Sequence, residues 1–429
     1  MATGVWLGID FGTSGCRICA IDNKASITFQ TQTLFAANQP YPDPQKQWQI
    51  VFALLQKTVA ALNSTAINAI SVAATSGSVL LCDKNGQPLT AILLYNDSRA
   101  TSQSQKIAQI APANCAAHGA TSGLAKLLYL QQEITLPGQH YLTHQADWLL
   151  VQLGARPAVT DYNNALKSGF DPVSLSWPEW LTKVVSRSVL PEVVAPGSVI
   201  GQMPAALMTK LRLGQTAPPK IIAGTTDSLA AFIATGANKI GDGVTSLGST
   251  LVLKLICQKP VFASEYGIYS HKLGNHWLIG GASNSGGAVL KQYFNHQQLN
   301  QLSGQIDLNS TPPDYYPLPS MGERFPMADP QMLPRLTPRP ASDSLFLHGL
   351  LNGIANIEQS GYAKLQQLGD TKLQTLRSVG GGAANQVWTK IRQQKLAVPF
   401  LLVLNTEAAY GAALLAKDGL TAFNEVNDG

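Results

Sequence analysis

The sequence has few charged residues, and its basic residues are not clustered. Lysine, arginine, aspartate and glutamate make up 13% of the 429 residues, whereas 45% are hydrophobic. The formal net charge of +5 includes no run of lysine and arginine of the kind that binds nucleic acid or an anionic membrane. The chain is long enough for two or three domains with a large core, and any anionic partner is expected to be small.

Long apolar runs and paired cysteines are also lacking. No stretch approaches the roughly 20 apolar residues that cross a bilayer, and the first residues show no feature of a signal peptide. The five cysteines have no disulfide-framework spacing, and the CxxC pair of Cys16 and Cys19 has no second pair to complete a zinc site. We therefore expect a soluble cytoplasmic protein.

Two widespread nucleotide-binding motifs are absent. No G-x-x-x-x-G-K-[ST] occurs, which argues against a P-loop enzyme, and the glycine-rich segment 380–385 (GGGAAN) does not fit G-x-G-x-x-G. This segment lies between a predicted strand, Thr375 to Val379, and a predicted helix, where a glycine backbone lets a ring or a phosphate come close. A helix N-cap with glycine for close packing explains the segment about as well.

A strand, glycine-rich turn, strand pattern is present, and it occurs twice. The first copy runs from Val5 to Asp22 through the turn 11–15 (FGTSG), and the second from Val244 to Ile256 through the turn 248–250 (GST). The repetition predicts an internally duplicated chain. Because each turn offers backbone N–H groups and hydroxyls, the two turns can bind one polyphosphate.

Asp10 ends the first predicted strand directly before the first turn. Its carboxylate is placed to bind a Mg²⁺ ion that also contacts phosphate, because Mg²⁺ commonly takes one carboxylate plus phosphate oxygens and water. A turn-forming aspartate in an ordinary hairpin is the alternative. The second copy of the turn favours the phosphate and metal interpretation.

Asp227 lies at the corner between a predicted strand, Lys220 to Ala223, and a predicted helix, Ser228 to Thr235. An acidic group at this place is a candidate general base for phosphoryl transfer, where it orients a hydroxyl and accepts its proton late in the reaction. The alternative is a helix N-cap, and both roles are compatible.

Other segments of the sequence predict scaffold. A helix follows Asp43, strands run from Ala69 to Ala74 and from Ala91 to Tyr95, and residues 96–217 carry no motif with evident chemistry. Residues 311–340 are rich in proline but include aromatic and aliphatic side chains. That mixture predicts an ordered loop rather than a disordered linker.

Together these motifs resemble those of the FGGY family of carbohydrate kinases over nearly the whole chain. The resemblance is carried by their order and spacing, in the segments 9–15 (IDFGTSG), 223–227 (AGTTD), 246–250 (SLGST), 281–288 (GASNSGGA), 322–326 (GERFP) with 329–330 (DP), 380–385 (GGGAAN) and 407–413 (EAAYGAA).

The resemblance implies an α/β fold of two actin-like (ribonuclease H-like) ATPase domains, with ATP and sugar bound in a cleft between them. The implied domains are residues 1–234 and 235–406, with a closing helix in 407–429 that packs on the first. ATP and Mg²⁺ are the implied cofactors. The implied roles are general base for Asp227, Mg²⁺ ligand for Asp10, phosphate binding for Thr13, Ser14, Gly15, Gly248 and Ser249, and adenosine binding for Gly381, Gly382 and Asn385.

The sequence departs from many family members at 74–78 (ATSGS), where they carry Gly-Gln-x-His-Gly or a strand end containing Gln-Arg, and the chain is shorter than is usual. Here it resembles a short branch of cyanobacterial and plant sugar kinases that act on D-ribulose. That resemblance implies that Ser76 contacts the sugar together with Asp10 and Asp227. D-Xylulose is the alternative substrate, because the two ketopentoses differ at one carbon.

Alternatives from other classes are an actin-like ATPase and a catalytically weak nucleotide or sugar sensor. The intact aspartates and both phosphate turns favour a kinase. The expected partners are a small sugar and ATP, with the protein a monomer or a homodimer.

Overall fold

A computed structural model describes residues 4–36, 41–63, 65–135, 138–215 and 217–424. Its described residues form two units. The first comprises residues 4–234 and 405–424, and the second comprises residues 235–404. The last five residues of the predicted closing segment, 425–429, lie outside the described residues.

Strands and helices alternate through both units. The strands are β1 Val5–Phe11, β2 Gly15–Ile21, β3 Ile27–Leu34, β4 Ile67–Ala74, β5 Val79–Asp83, β6 His140–His144, β7 Val159–Asp161, β8 Glu192–Val194, β9 Val199–Gln202, β10 Lys220–Thr226, β11 Asp242–Leu247, β12 Leu251–Cys257, β13 Phe262–Ala263, β14 Ile268–Tyr269, β15 His271–Leu273, β16 His276–Ser283, β17 Thr375–Val379 and β18 Phe400–Leu401. The helices are α1 Pro44–Leu62, α2 Thr101–Ala108, α3 Gly123–Glu133, α4 Gln145–Leu153, α5 Tyr162–Ala165, α6 Ala205–Leu211, α7 Asp227–Ala234, α8 Gly287–Tyr293, α9 His296–Ser303, α10 Asp343–Gly369, α11 Gln386–Leu396 and α12 Ala408–Asp418. In the described part of the chain, no helix combines the length and the apolar character needed to cross a membrane.

The first unit is built on a six-stranded sheet in the order β3-β2-β1-β4-β10-β9. Strand β1 is antiparallel to β2 and parallel to β4, which is in turn parallel to β10. Leu7 and Ile9 belong to a core shared with α1 and α4, so one face of β1 is covered there. Gly8 points to the other face, where a Cβ atom would collide with the backbone of α12 at Ala409. A strand covered on both faces explains the unbroken apolar run of β1.

The second unit repeats this plan with a six-stranded sheet in the order β15-β16-β12-β11-β17-β18. Strand β11 pairs antiparallel with β12 across the second glycine-rich turn and parallel with β17, as β1 pairs with β2 and β4. The two sheets therefore confirm the duplication that the sequence predicts. Helix α10 packs on this sheet, and its buried Glu358 forms an ion pair with Arg392 of α11, with Nε to Oε2 at 2.6 Å.

The predicted strand from Ala91 to Tyr95 is wrong. This run makes a single bridge, between Val79 and Leu93, and the long antiparallel partner of β5 is β6. Leu93 meets β5 at that bridge, whereas the Ile92 N–H donates to the Pro42 carbonyl at 2.8 Å, so the apolar run 91–95 is an extended wall segment rather than a strand.

The proline-rich segment 311–340 is ordered, as its apolar content predicts. Tyr315, Leu318 and Phe325 are buried in it, whereas Met327 is exposed. Its Glu323 is also buried and accepts hydrogen bonds from the Ser283 hydroxyl at 2.6 Å and the Asn284 N–H at 2.8 Å. These bonds attach the segment to the end of β16.

Candidate active site

Three neighbouring parallel strands bring the residues that are predicted to contact the sugar to one edge of the first sheet. The register places Asp10 of β1 beside Ala73 of β4, and Ala74 beside Thr226 of β10. Asp10, Ser76 and Asp227 therefore lie at the carboxyl ends of adjacent strands. This is the edge at which open α/β sheets bind their ligands.

Asp10 is buried, and few polar groups contact its carboxylate to offset the cost of burying the charge. Its Oδ1 atom has no hydrogen-bond partner, and the guanidinium of Arg17 is 3.8 Å from Oδ2. The pKa of Asp10 is raised to about 7, chiefly by burial and also by the negative charge of Asp227, while the positive charge of Arg17 opposes the rise. Arg17 is itself bound through Nε to Glu407, at 3.2 Å. The motifs did not indicate Arg17, and Glu407 was part of the segment 407–413 without an assigned role.

These residues fit a Mg²⁺ ion. A buried, unpartnered carboxylate oxygen next to a second carboxylate is an arrangement whose repulsion a cation relieves. Among the described residues there is no group of three or more His, Cys, Asp or Glu side chains placed to hold a metal. Asp10, with phosphate oxygens and water as the other ligands, matches the coordination that Mg²⁺ prefers.

Asp227 is the first residue of α7 and is half-buried. Its Oδ1 accepts the Ser228 N–H at 2.6 Å, while the hydroxyl of Thr226 accepts the Leu229 N–H at 3.4 Å. The capping role considered for Asp227 thus falls to Thr226 in this structure. The positive end of α7 favours the ionised form of the Asp227 carboxylate.

Ser76 lies in the turn between β4 and β5, and its hydroxyl is buried without a hydrogen-bond partner. Its neighbours in the turn are satisfied, because the Thr75 hydroxyl bonds to the Ser78 hydroxyl at 2.6 Å and donates to Gln145 Oε1 at 2.8 Å. Because the neighbouring hydroxyls already have hydrogen-bond partners, the buried Ser76 hydroxyl is available to bond to a ligand.

A cavity of about 710 Å³ opens beside this turn and the first glycine-rich turn. Its polar wall is a chain in which Gln145 links Thr75 to Gln47, with Nε2 to Oε1 at 3.0 Å. The motifs did not indicate this wall. One signal was present, since Gln47 falls on the buried face of α1. The lining residues are Phe11, Gly12, Thr13, Ser14, Phe35, Ala36, Tyr41, Gln47, Thr75, Leu94, Tyr95, Asn96 and Gln145.

The first glycine-rich turn is a tight corner with exposed hydroxyls. The Gly12 N–H donates to the Gly15 carbonyl at 3.0 Å, and the side chains of Thr13 and Ser14 are exposed. Gly15 is required for packing, because a Cβ atom there would lie 2.5 Å from the Thr33 carbonyl oxygen of β3.

In the second unit, the turn after β11 lies against the start of α8. The carbonyls of Gly248 and Ser249 accept the N–H groups of Gly287 at 2.9 Å and Ala288 at 3.0 Å. Gly380, at the end of the neighbouring β17, has a φ of +84° and lies where a Cβ atom would be 2.8 Å from the Leu247 carbonyl oxygen. These hydrogen bonds and the close approach of Gly380 to Leu247 bring three backbone segments together where β11 and β17 end.

The predicted adenosine residues follow directly. Gly381 and Gly382 lie in a 3₁₀ turn, Gly381–Ala384, and the Cβ position of Gly381 faces open space. Asn385 caps α11, where its Oδ1 accepts the Trp388 N–H at 3.0 Å and its Nδ2 donates to the Ser303 hydroxyl at 2.8 Å. Asn385 therefore has the helix N-cap role that was the alternative interpretation of this segment.

Two domain models of one protein family match most of the chain. Residues 5–234 match the N-terminal domain of the FGGY family of carbohydrate kinases, and residues 236–417 match its C-terminal domain. A xylulose kinase of Staphylococcus epidermidis is 23% identical over 99% of this chain and 90% of its own. A gluconokinase of Bacillus subtilis is 21% identical over 82% of this chain and 68% of its own.

Solved structures share the fold. Glycerol kinase from Plasmodium falciparum, crystallised with ADP, has a TM-score of 0.84 at 19% identity and covers 96% of this chain and 89% of its own. Ligand-bound xylulose kinase from Lactobacillus acidophilus has a TM-score of 0.82 at 18% identity, covering 99% and 90%. These likenesses confirm the predicted α/β fold of two actin-like domains.

Proposed function

The chain belongs to the FGGY family of carbohydrate kinases, which use ATP with Mg²⁺, and from that premise we propose that it phosphorylates the terminal hydroxyl of a ketopentose. The proposed reaction converts D-ribulose and ATP to D-ribulose 5-phosphate and ADP. The Ser76 hydroxyl is the observation that supports a short polyol as substrate. It is buried without a hydrogen-bond partner, at the sheet edge where Asp10 and Asp227 also lie. A small side chain leaves room for a sugar hydroxyl to bond there.

In the proposed mechanism, Asp227 orients the terminal hydroxyl of the sugar and accepts its proton as the bond to the γ-phosphoryl group forms. Asp10 would hold the Mg²⁺ ion and would also bond to a sugar hydroxyl. The positive charge of Arg17 favours the ionised form of Asp10 and so opposes the effect of burial. When bound, Mg²⁺ neutralises charge that develops on the transferring phosphoryl group.

For the nucleotide, we assign phosphate contacts to Thr13, Ser14, Gly15, Gly248 and Ser249, and adenosine contacts to Gly381, Gly382 and Asn385. The exposed hydroxyls of the first turn and the open space at Gly381 support this assignment. The Asn385 side chain also caps α11 and so fixes the end of the turn in which Gly381 and Gly382 lie.

D-Xylulose is the second candidate substrate. Two relatives that match 98% or more of this chain are named xylulose kinases. One is the Staphylococcus epidermidis protein, and the other is a second Bacillus subtilis protein, distinct from the gluconokinase. We also propose that the protein acts in the cytoplasm, as a monomer or a homodimer.

The test is ADP release from Mg·ATP with D-ribulose, D-xylulose, L-ribulose, glycerol, gluconate and no sugar. A marked preference for D-ribulose supports the proposal, and a preference for D-xylulose selects the second candidate. ATP turnover that no sugar changes would instead favour an actin-like ATPase or a sensor.

The role of Asp227 is tested in the same assay. Asp227→Ala should abolish phosphorylation of the preferred sugar while the Kd of ATP, measured by calorimetry, stays near the wild-type value. Asp227→Asn keeps the size of the side chain but cannot accept a proton, so it should be equally inactive. Loss of nucleotide binding together with activity would indicate a structural role.

A further inference from the structure

Lys126 is a fully buried lysine in a part of the chain to which no motif assigns a role. It lies on α3 and has 0% exposed surface. Burying an ammonium group costs free energy unless polar groups compensate it, so lysine is rarely found fully buried. Its surroundings therefore point to a specific task.

The ammonium group of Lys126 joins two separate segments of the first unit. Its Nζ donates to the carbonyl oxygen of Gly77 at 2.8 Å and to that of Leu94 at 2.6 Å. Gly77 follows Ser76 in the turn after β4, and Leu94 lines the cavity directly before Tyr95 and Asn96. One side chain thus links the backbone on which Ser76 lies to the backbone of the cavity wall.

The charge of Lys126 suits this task. Its pKa is lowered to about 8, chiefly by burial; the charge of Asp97 opposes this effect and that of Lys167 adds to it. Its N–H donors can reach two carbonyl acceptors that lie in different directions. A methionine at this position would fill similar volume but could bond to neither carbonyl.

We propose that Lys126 is a positioning residue of the acceptor site: it holds the Ser76–Gly77 turn against the wall formed by Leu94, Tyr95 and Asn96, and so fixes the pocket that receives the sugar. The proposal rests on the proposed function, because it takes this pocket to be the sugar site. Lys126 does not line the cavity, so it acts through the two backbone segments and not by contact with the substrate.

A second feature of the geometry strengthens the argument. The Leu94 carbonyl also accepts the Asp97 N–H at 2.9 Å, so that carbonyl keeps a partner if the lysine is removed. Gly77 has a φ of +79°, and a Cβ atom there would lie 3.3 Å from the Thr121 carbonyl oxygen. Removing the ammonium therefore releases chiefly the turn that carries Ser76, and the sugar side of the reaction should suffer first.

The experiment compares Lys126→Met with the wild-type enzyme in steady-state kinetics, using the sugar that the wild type prefers among the panel above. Lys126→Met should raise the KM of the sugar about tenfold or more, because a small displacement of a positioning group is costly. The KM of ATP and the Kd of ADP should change less than about twofold. Lys126→Gln keeps an N–H donor and should give an intermediate sugar KM.

Leu130→Ala is the matched control, because Leu130 is buried on the same helix one turn further along. It should lower the melting temperature while leaving the sugar KM near the wild-type value, and this separates positioning from general loss of stability. A wild-type sugar KM in Lys126→Met, or equal rises in the KM of sugar and ATP, would overturn the positioning role alone. A wild-type enzyme that no sugar stimulates would overturn the proposed function and this inference with it.

Discussion

The buried carboxyl of Asp10 lowers the stability of the folded protein by an amount that depends on pH. Its pKa is raised from 3.8 to about 7, so the folded state binds this proton more tightly than the unfolded state. The stabilisation by proton binding is complete below pH 3.8 and is lost as the pH rises through 7. Between pH 5 and pH 8, this loss amounts to about 3 kcal/mol of the free energy of unfolding.

Asp10→Asn removes this titration and keeps the shape of the side chain. The free energy of unfolding of the variant, minus that of the wild type, should be about 3 kcal/mol larger at pH 8 than at pH 5. The difference between the two proteins is the useful quantity, because the other titrating groups contribute to both. Urea unfolding at the two pH values, without nucleotide or Mg²⁺, measures it. The variant should also lose kinase activity, so a gain in stability accompanies a loss of function.

The control is Asp370→Asn, which makes the same chemical change in an exposed ion pair with Lys259. Its effect on the free energy of unfolding should be below about 1 kcal/mol. An Asp10→Asn effect that is equal at pH 5 and pH 8 would refute the reasoning, because it would show that Asp10 does not titrate between these values in the folded protein.

Three further outcomes are expected. Arg17→Met removes the charge that opposes the raised pKa of Asp10, so the acid limb of the kcat/KM profile should move about half a pH unit or more upward; an unmoved limb would show that Arg17 does not tune Asp10. Gly380→Ala forces a side chain into a backbone with φ of +84°, and the Kd of ADP measured by calorimetry should rise while the sugar KM does not. Arg392→Met leaves the Glu358 carboxylate buried without its ion-pair partner, which should lower the free energy of unfolding by about 3 to 5 kcal/mol. The double variant Arg392→Met/Glu358→Gln should lose less of this free energy, and equal losses in the two variants would argue against an ion pair.

The sequence was sufficient to place Asp10 and Asp227 at candidate functional corners. Asp10 lies at the end of an apolar strand and Asp227 directly follows one, and this local pattern is kept in the fold as β1 and β10 on either side of β4. The duplicated strand, turn, strand pattern was visible for the same reason, since each copy is contiguous in sequence.

The groups that support these residues could not be read from local patterns. Arg17 contacts Glu407 although 390 residues separate them in the chain, and Gln145 contacts Gln47 across 98 residues. Such pairs depend on the packing of distant elements. Lys126 did leave a trace, because a lysine inside the apolar run of α3 is anomalous for a buried helix. The strand wrongly predicted at 91–95 shows the reverse situation, in which an apolar run has the composition of a strand but meets β5 at a single bridge.

The return of residues 405–424 to the first unit has a consequence for synthesis on the ribosome. A nascent chain that has reached residue 404 contains the whole second unit, yet one face of β1 is still bare. Gly8, the residue of β1 that α12 packs against, has no side chain to fill that gap in the absence of the helix. The first unit, although made first, is therefore expected to reach its final packing only when translation is almost finished. A chain released early would expose a seam of unpacked backbone and small residues to proteases and chaperones.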